Sequence, residues 1–170
     1  SSEVKDGKLS WQPPSGRWHV MAIAEDRLYD HTFAAASFGD RIPYINLLMS
    51  EPTAKFIELT HKKYAEQLGS DLGKYFISTF TDEPSLMNRW VDSSPYRAIP
   101  WSPDFAEQFR IARGYDIASS IPLLMADFGA ESKKAKYDYW KTVSELVSEN
   151  FFGQIQDFCK EHNISSGGHM

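Results

Sequence analysis

The order strand, helix, strand, helix, strand is the feature that most restricts this chain. Ile42 to Leu48 is a short apolar run that ends at Ser50, which reads as a helix N-cap, with Glu51 and Pro52 in the first turn. From Thr53 the positions Phe56, Leu59 and Tyr64 recur at helical spacing through Leu68, and Gly69 supplies a left-handed stop. Tyr75 to Thr81 follows, aromatic and β-branched on both faces, as expected of a strand buried between two layers. A second helical stripe from about Ser132 to Glu161 carries Tyr137, Trp140, Val143, Val147, Phe151, Ile155 and Phe158. Gly153 is its one weak point, and Asn163 caps it before Ile164 to His169 reads as a further strand. Repeated β-α order predicts an α/β fold with a parallel sheet and helices outside it.

Two segments depart from that repeat. Leu9–Trp11 and Arg17–Ala24 flank Pro13-Pro14-Ser15-Gly16 and read as an N-terminal β-hairpin, with Trp18 in its core. Residues 25–40 dissolve into a polar loop. The division expected is therefore 1–40, a hairpin and loop acting as an insertion or lead-in, and 41–170, a run of β/α units. Between them in character is the long stretch Leu86 to Trp101, after which Ser102-Pro103-Asp104 opens a helix with Phe105 and Phe109 on one face and Gly114 as its stop. Ile117 to Met125 continues as a second short helix.

Composition narrows the function. The 170 residues carry 18 Lys plus Arg against 23 Asp plus Glu, a net charge of −5, which argues against a nucleic-acid backbone as partner. No apolar run reaches the ~20 residues of a membrane span, and Ser1 to Gly7 holds no signal-peptide core. A leader further upstream would put the protein in the periplasm or outside the cell, and its absence would leave it cytoplasmic. Cys159 is the only cysteine and lies among Phe151, Ile155 and Phe158, so a buried, structural thiol is expected. His19, His31, His61 and His162 have no metal-ligand spacing, and no cofactor is called for. The acidic loop around Asp26, Asp30 and Asp40 has the chemistry for no more than weak calcium binding. Glycine-rich phosphate loops and nucleophile elbows are absent from the sequence.

The chemistry concentrates where Tyr75–Thr81 stops. Asp82-Glu83-Pro84 places two carboxylates at a strand's C-terminal end, where α/β enzymes carry out their reactions. Neighbouring strand residues point to opposite faces, so Asp82 and Glu83 do not form a catalytic pair with each other. Glu51 is the next best placed acid, and its position suits the helix N-terminus better than catalysis. Taken alone, the tripeptide is better read as a loop cap whose carboxylates accept backbone N–H bonds. His169, after Gly167-Gly168, stands at another strand end and suits a hydroxyl contact, although Gly-Gly-His-Met also has the look of cloning-derived residues. Trp90 and Trp101, in the long loop, are candidates for flat sugar platforms, whereas Trp140 and Trp18 suit the core.

In order and spacing, several segments resemble the large TIM-barrel glycoside hydrolases of the α-L-rhamnosidase type. These are Trp11-Gln-Pro-Pro-Ser-Gly-Arg-Trp18, Phe56-Ile-Glu-Leu-Thr-His-Lys-Lys-Tyr64, Phe80-Thr-Asp-Glu-Pro84, Pro100-Trp-Ser102, Tyr137-Asp-Tyr-Trp140, Glu149-Asn-Phe-Phe152 and Gly168-His169. The resemblance implies a (β/α)8 barrel of which this chain is an incomplete part, and an acid/base glutamate at Glu83. A buried glutamate there would have the raised pKa of a general acid. Asp82, His169, Trp90 and Trp101 would then contact an oligosaccharide or glycoside. Where the family often begins the helix after the earlier strand with Asn-Pro, this chain has Met49-Ser50. On this reading the 170 residues alone lack turnover, and their open sheet edges leave self-association available. A non-catalytic sugar-binding or scaffold module is the alternative from another class.

Overall fold

The structure is a computed structural model that describes residues 3–25, 44–86 and 98–169. Its first element is an antiparallel hairpin, β1 (Glu3–Lys5) and β2 (Lys8–Ser10), with Val4 opposite Leu9. Asp6 and Gly7 between them both take positive φ, the requirement of a two-residue hairpin turn. The hairpin therefore lies upstream of the expected one. Pro13 and Pro14 have no N–H to give a ladder, and residues 17–25 form none. Trp18 instead donates its indole N–H to the Pro14 carbonyl and meets Trp11 edge-on. At 52% exposure it is not a core residue.

The expected strand at Ile42–Leu48 is also corrected, for its described part. Residues 44–49 form no strand and Asn46–Met49 make a turn, because the Asn46 side chain accepts the Leu48 N–H at 3.1 Å and donates to the Trp101 carbonyl at 2.8 Å, competing with a ladder. Leu47 and Leu48 are buried all the same, one in each of two core clusters. Helix α1 (Ser50–Leu59) then begins with Met49, not Ser50, in the extended N-cap position. A single helix through Leu68 does not form. Thr60 turns its hydroxyl back onto the Phe56 carbonyl at 2.6 Å and breaks the run, so α2 (His61–Leu68) is separate.

Strand β3 (Ser78–Thr81) pairs in parallel with β4 (Ser165–Gly168), in the register Ser78 to Ser165 through Thr81 to Gly168. Between them come α3 (Phe105–Arg113), closed by Gly114 at φ 80°, and the short α4 (Ile121–Met125). A continuous helical rod follows, formed by α5 (Ala130–Val147), a π turn over Ser148–Gly153 and α6 (Gln154–Glu161). Asn163 ends it with positive φ, as expected.

Along this rod Tyr139, Val143, Phe151 and Ile155 are buried and Val147 is half-buried, four residues apart at each step. Such steps drift around a 3.6-residue helix, and the wider π turn takes up the drift. Tyr137 and Trp140, expected on the buried stripe, are exposed instead, and Tyr139 fills the core between them. One cluster joins Leu47, Ile57, Phe151, Ile155 and Cys159; the other gathers Leu48, Phe105, Phe109, Ile117 and Tyr139. The fold is thus α/β, with helices on one side of a two-stranded parallel sheet. Among the described residues no element covers the other side, so β3 is not buried on both faces, and Phe80 is 63% exposed. No helix among the described residues is long and apolar enough to cross a membrane.

Candidate functional site

The site begins with the parity of the ladder. Thr79 and Thr81 are half-buried on the helix side, where the Thr79 hydroxyl meets the Cys159 thiol at 3.3 Å. Phe80 and Asp82 alternate to the open side. Because Thr81 is opposite Gly168, the next pair is Asp82 and His169, and the backbone continues that far. The His169 N–H donates to the Thr81 carbonyl at 3.1 Å, and the Glu83 N–H donates to the His169 carbonyl at 3.2 Å. These two bonds bracket Asp82. Its Oδ1 stands 3.3 Å from His169 Nδ1, while the imidazole meets the Phe80 ring edge-on at 5.0 Å between centroids.

Glu83, the next residue, has φ 46°. A non-glycine side chain in the left-handed region is uncommon, and its persistence next to carboxylate and imidazole groups marks a position the surrounding structure over-determines. Pro84 then prevents the strand from continuing. The expected burial of Glu83 is not found. The open side of β3 and β4 leaves Asp82, Glu83 and His169 all exposed.

Glu83, Asp82 and His169 are therefore brought together. Trp101 is not with them: its ring is half-buried and tilted against Phe105 at 4.8 Å, packed onto the second core cluster. Trp90 lies outside the described residues, as do Asp26, Asp30 and Asp40. Among the described residues no group of three or more His, Cys, Asp or Glu side chains could hold a metal ion. A shallow polar cavity of about 310 Å³ lies elsewhere, lined by Ser50, Glu51, Asp104 and Asn150. Its Glu51 sits in the first turn of α1, the helix-terminus role expected of it.

The pairing of Asp82 with His169 is the feature that reading the two strand ends separately misses. Its signal is the shared parity of Phe80, Asp82, Gly167 and His169 once the strands are placed in register. Tyr139, inside the Tyr137–Trp140 segment, carries a structural role that periodicity does not record. Its hydroxyl donates to the Pro100 carbonyl at 2.5 Å and fixes the end of the long segment to the rod.

Parallel strands with helices behind them and acid and imidazole groups at their C-terminal ends form the arrangement in which α/β enzymes place their chemistry. Sequence comparison makes this specific: the chain belongs to the glycoside hydrolase family described as alpha-L-rhamnosidase, which it matches over residues 1–168. It is also similar to a protein of Formosa agariphila described as "Putative beta-glucuronidase", at 20% identity over 161 residues. That alignment covers 93% of this chain and 13% of the relative, so the chain spans about an eighth of that protein's length. No solved structure gives a significant match.

Proposed function

We propose that the protein to which these residues belong hydrolyses O-glycosidic bonds, with α-L-rhamnosides of plant or microbial oligosaccharides as the first substrate class. Glu83 is the general acid that protonates the leaving oxygen. The observation that carries this reading is Glu83 at the end of β3, beside the end of the parallel β4, with its backbone in the left-handed region. Family membership supplies the reaction class, and the name of the Formosa agariphila relative makes β-glucuronides the substrate to compare.

On this reading β3 and β4 are neighbouring members of a (β/α)8 barrel. Helices on one side and an open face carrying Phe80, Asp82 and His169 on the other fit a wall whose inner surface faces further strands. Glycoside hydrolysis needs a second carboxyl group at about 5–5.5 Å from the acid in a retaining enzyme, or about 6.5–9.5 Å in an inverting one. Asp82 faces His169, so the partner of Glu83 comes from another strand. Closing the barrel over Glu83 would remove water from it and favour the protonated form a general acid requires.

The test is Glu83→Gln in the full-length protein, assayed on α-L-rhamnosides and β-D-glucuronides with good and poor leaving groups. Turnover should fall by roughly 10²–10⁴ on the poor leaving group and much less on the good one, since only the former needs its oxygen protonated. Wild-type rates on the poor leaving group would remove Glu83 from the role. Sugar binding with no turnover in the wild-type protein would favour the non-catalytic module instead.

A further inference from the structure

Asp82 and His169 stand at the ends of different strands, 87 residues apart by number with a helical layer between them in sequence, yet they meet on the open face, next in the chain to Glu83, whose N–H bonds the His169 carbonyl. Two backbone hydrogen bonds fix the chain on either side of Asp82, and the edge of Phe80 limits how the imidazole can turn. A carboxylate next to Nδ1 favours the tautomer that carries its proton there, and this leaves Nε2 with a free lone pair. An isolated neutral imidazole prefers the opposite tautomer. A sugar hydroxyl donates O–H readily, and a bare ring nitrogen on a fixed backbone is a directional acceptor for it.

Resting on the reading of Glu83 as the acid, we propose that Asp82 is a positioning residue for His169, and that His169 Nε2 accepts a hydrogen bond from one hydroxyl of the sugar whose glycosidic oxygen Glu83 protonates. Asp82 then acts through the imidazole without touching the substrate itself. The pair selects a glycoside by the presence and position of one hydroxyl.

The experiment uses the full-length protein and whichever of p-nitrophenyl α-L-rhamnoside and p-nitrophenyl β-D-glucuronide it turns over faster, together with the monodeoxy analogues of that substrate. His169→Ala should raise KM about tenfold, the size of one lost hydrogen bond, with kcat changed much less. The penalty should vanish on the single analogue that lacks the contacted hydroxyl. His169→Gln, which keeps an acceptor at similar reach, should recover part of the loss, and Asp82→Asn added to His169→Ala should cost nothing further. Equal penalties on every analogue, or additive effects of the two substitutions, would overturn the pairing.

Nitrogen-15 shifts of the His169 ring, read where the imidazole is neutral, test the same link without turnover. They should show the proton on Nδ1 in the wild-type protein and on Nε2 in Asp82→Asn. A proton on Nε2 in both would refute Asp82 as the positioning group. Glu83→Gln, run alongside, separates the two levels: if it retains activity the acid assignment fails, whereas a dead Glu83→Gln with uniform His169→Ala effects overturns the pair alone.

Discussion

A methyl group on Gly168 would stand 2.0 Å from the carbonyl oxygen of Thr81. No real Cβ contact is that short, so the parallel pairing of β3 and β4 exists in this register because residue 168 has no side chain. Gly168→Ala should push the strands apart at the place where the His169 N–H donates to the Thr81 carbonyl and the His169 carbonyl accepts from the Glu83 N–H. A loss of about 1–3 kcal/mol is expected from such overpacking, read as a shift in the denaturant midpoint. Gly167→Ala is the matched control: a Cβ there meets nothing within 4 Å, and stability should change little. Equal effects of the two substitutions would show that close approach at Gly168 is not what holds the register.

Much of the helical half can be read from residue types. Phe105 and Phe109 one turn apart with Gly114 after them specify α3, and both rings are fully buried. The buried Cys159 and the parallel sense of the second and third expected strands follow equally from local pattern. What escapes a local reading depends on groups distant in sequence. The Leu47-Leu48 run has the composition of a strand, but Asn46 finds the Trp101 carbonyl 55 residues away and holds a turn. The break at Thr60 depends on one hydroxyl choosing a backbone carbonyl, which periodicity does not record. At the site, Asp82, Glu83 and His169 are legible as strand-end residues, while their meeting requires the register. Trp101, which composition offers as a sugar platform, is held against Phe105 by the packing of α3.

Tyr139 should set the alkaline limit of stability. Burial pushes its phenol well above the ordinary value of about 10, because the phenolate would have to form away from water. The unfolded chain releases that proton near pH 10 and the folded chain does not, so the unfolded state binds fewer protons above this pH. Stability contributed by the neutral phenol is complete below pH ~10 and falls as pH rises beyond it, by up to ~1.4 kcal/mol per pH unit. Tyr139→Phe should remove most of that slope, leaving the smaller contribution of Tyr115, whose pKa burial also raises. At neutral pH the same variant should lose about 1–3 kcal/mol, since the Pro100 carbonyl is left without its donor. Urea titrations at pH 7 and pH 10.5 measure both effects.

Asn150 connects the π turn to the start of α1. Its Nδ2 donates to the Leu48 carbonyl at 2.7 Å, and Gln154 donates to the Ser50 carbonyl at 3.0 Å and to the Asn150 carbonyl. Asn150→Ala should cost about 1–2 kcal/mol by leaving the Leu48 carbonyl unsatisfied between the two core clusters. Asn150→Asp should cost more at neutral pH, because an ionised carboxylate has no proton to give and repels the carbonyl. Acidification should restore part of the difference by supplying an O–H donor. Thermal melting of the two variants at pH 7 and pH 4 checks the order, and an aspartate variant no worse than alanine at pH 7 would rule out the donor role.

The 170-residue chain prepared by itself should associate and should show no turnover. Among the described residues no further strand pairs with either outer edge of β3–β4, and the face away from α6 exposes Phe80. Parallel sheets are found almost only where both faces are covered, so two strands with one open side are a poor end state in water. Another copy offers the nearest complementary strand edge. Sedimentation velocity across a tenfold concentration range should therefore show a rising weight-average mass. Lysine placed at Phe80 should lower the association by putting charge on that face, without improving stability. On the barrel reading, turnover should stay absent in the dispersed species, because the carboxyl partner proposed for Glu83 comes from a further strand. A monomeric short chain that hydrolyses α-L-rhamnosides at the rate of the full-length protein would mean that both carboxyl groups lie within these 170 residues and that the barrel reading is mistaken.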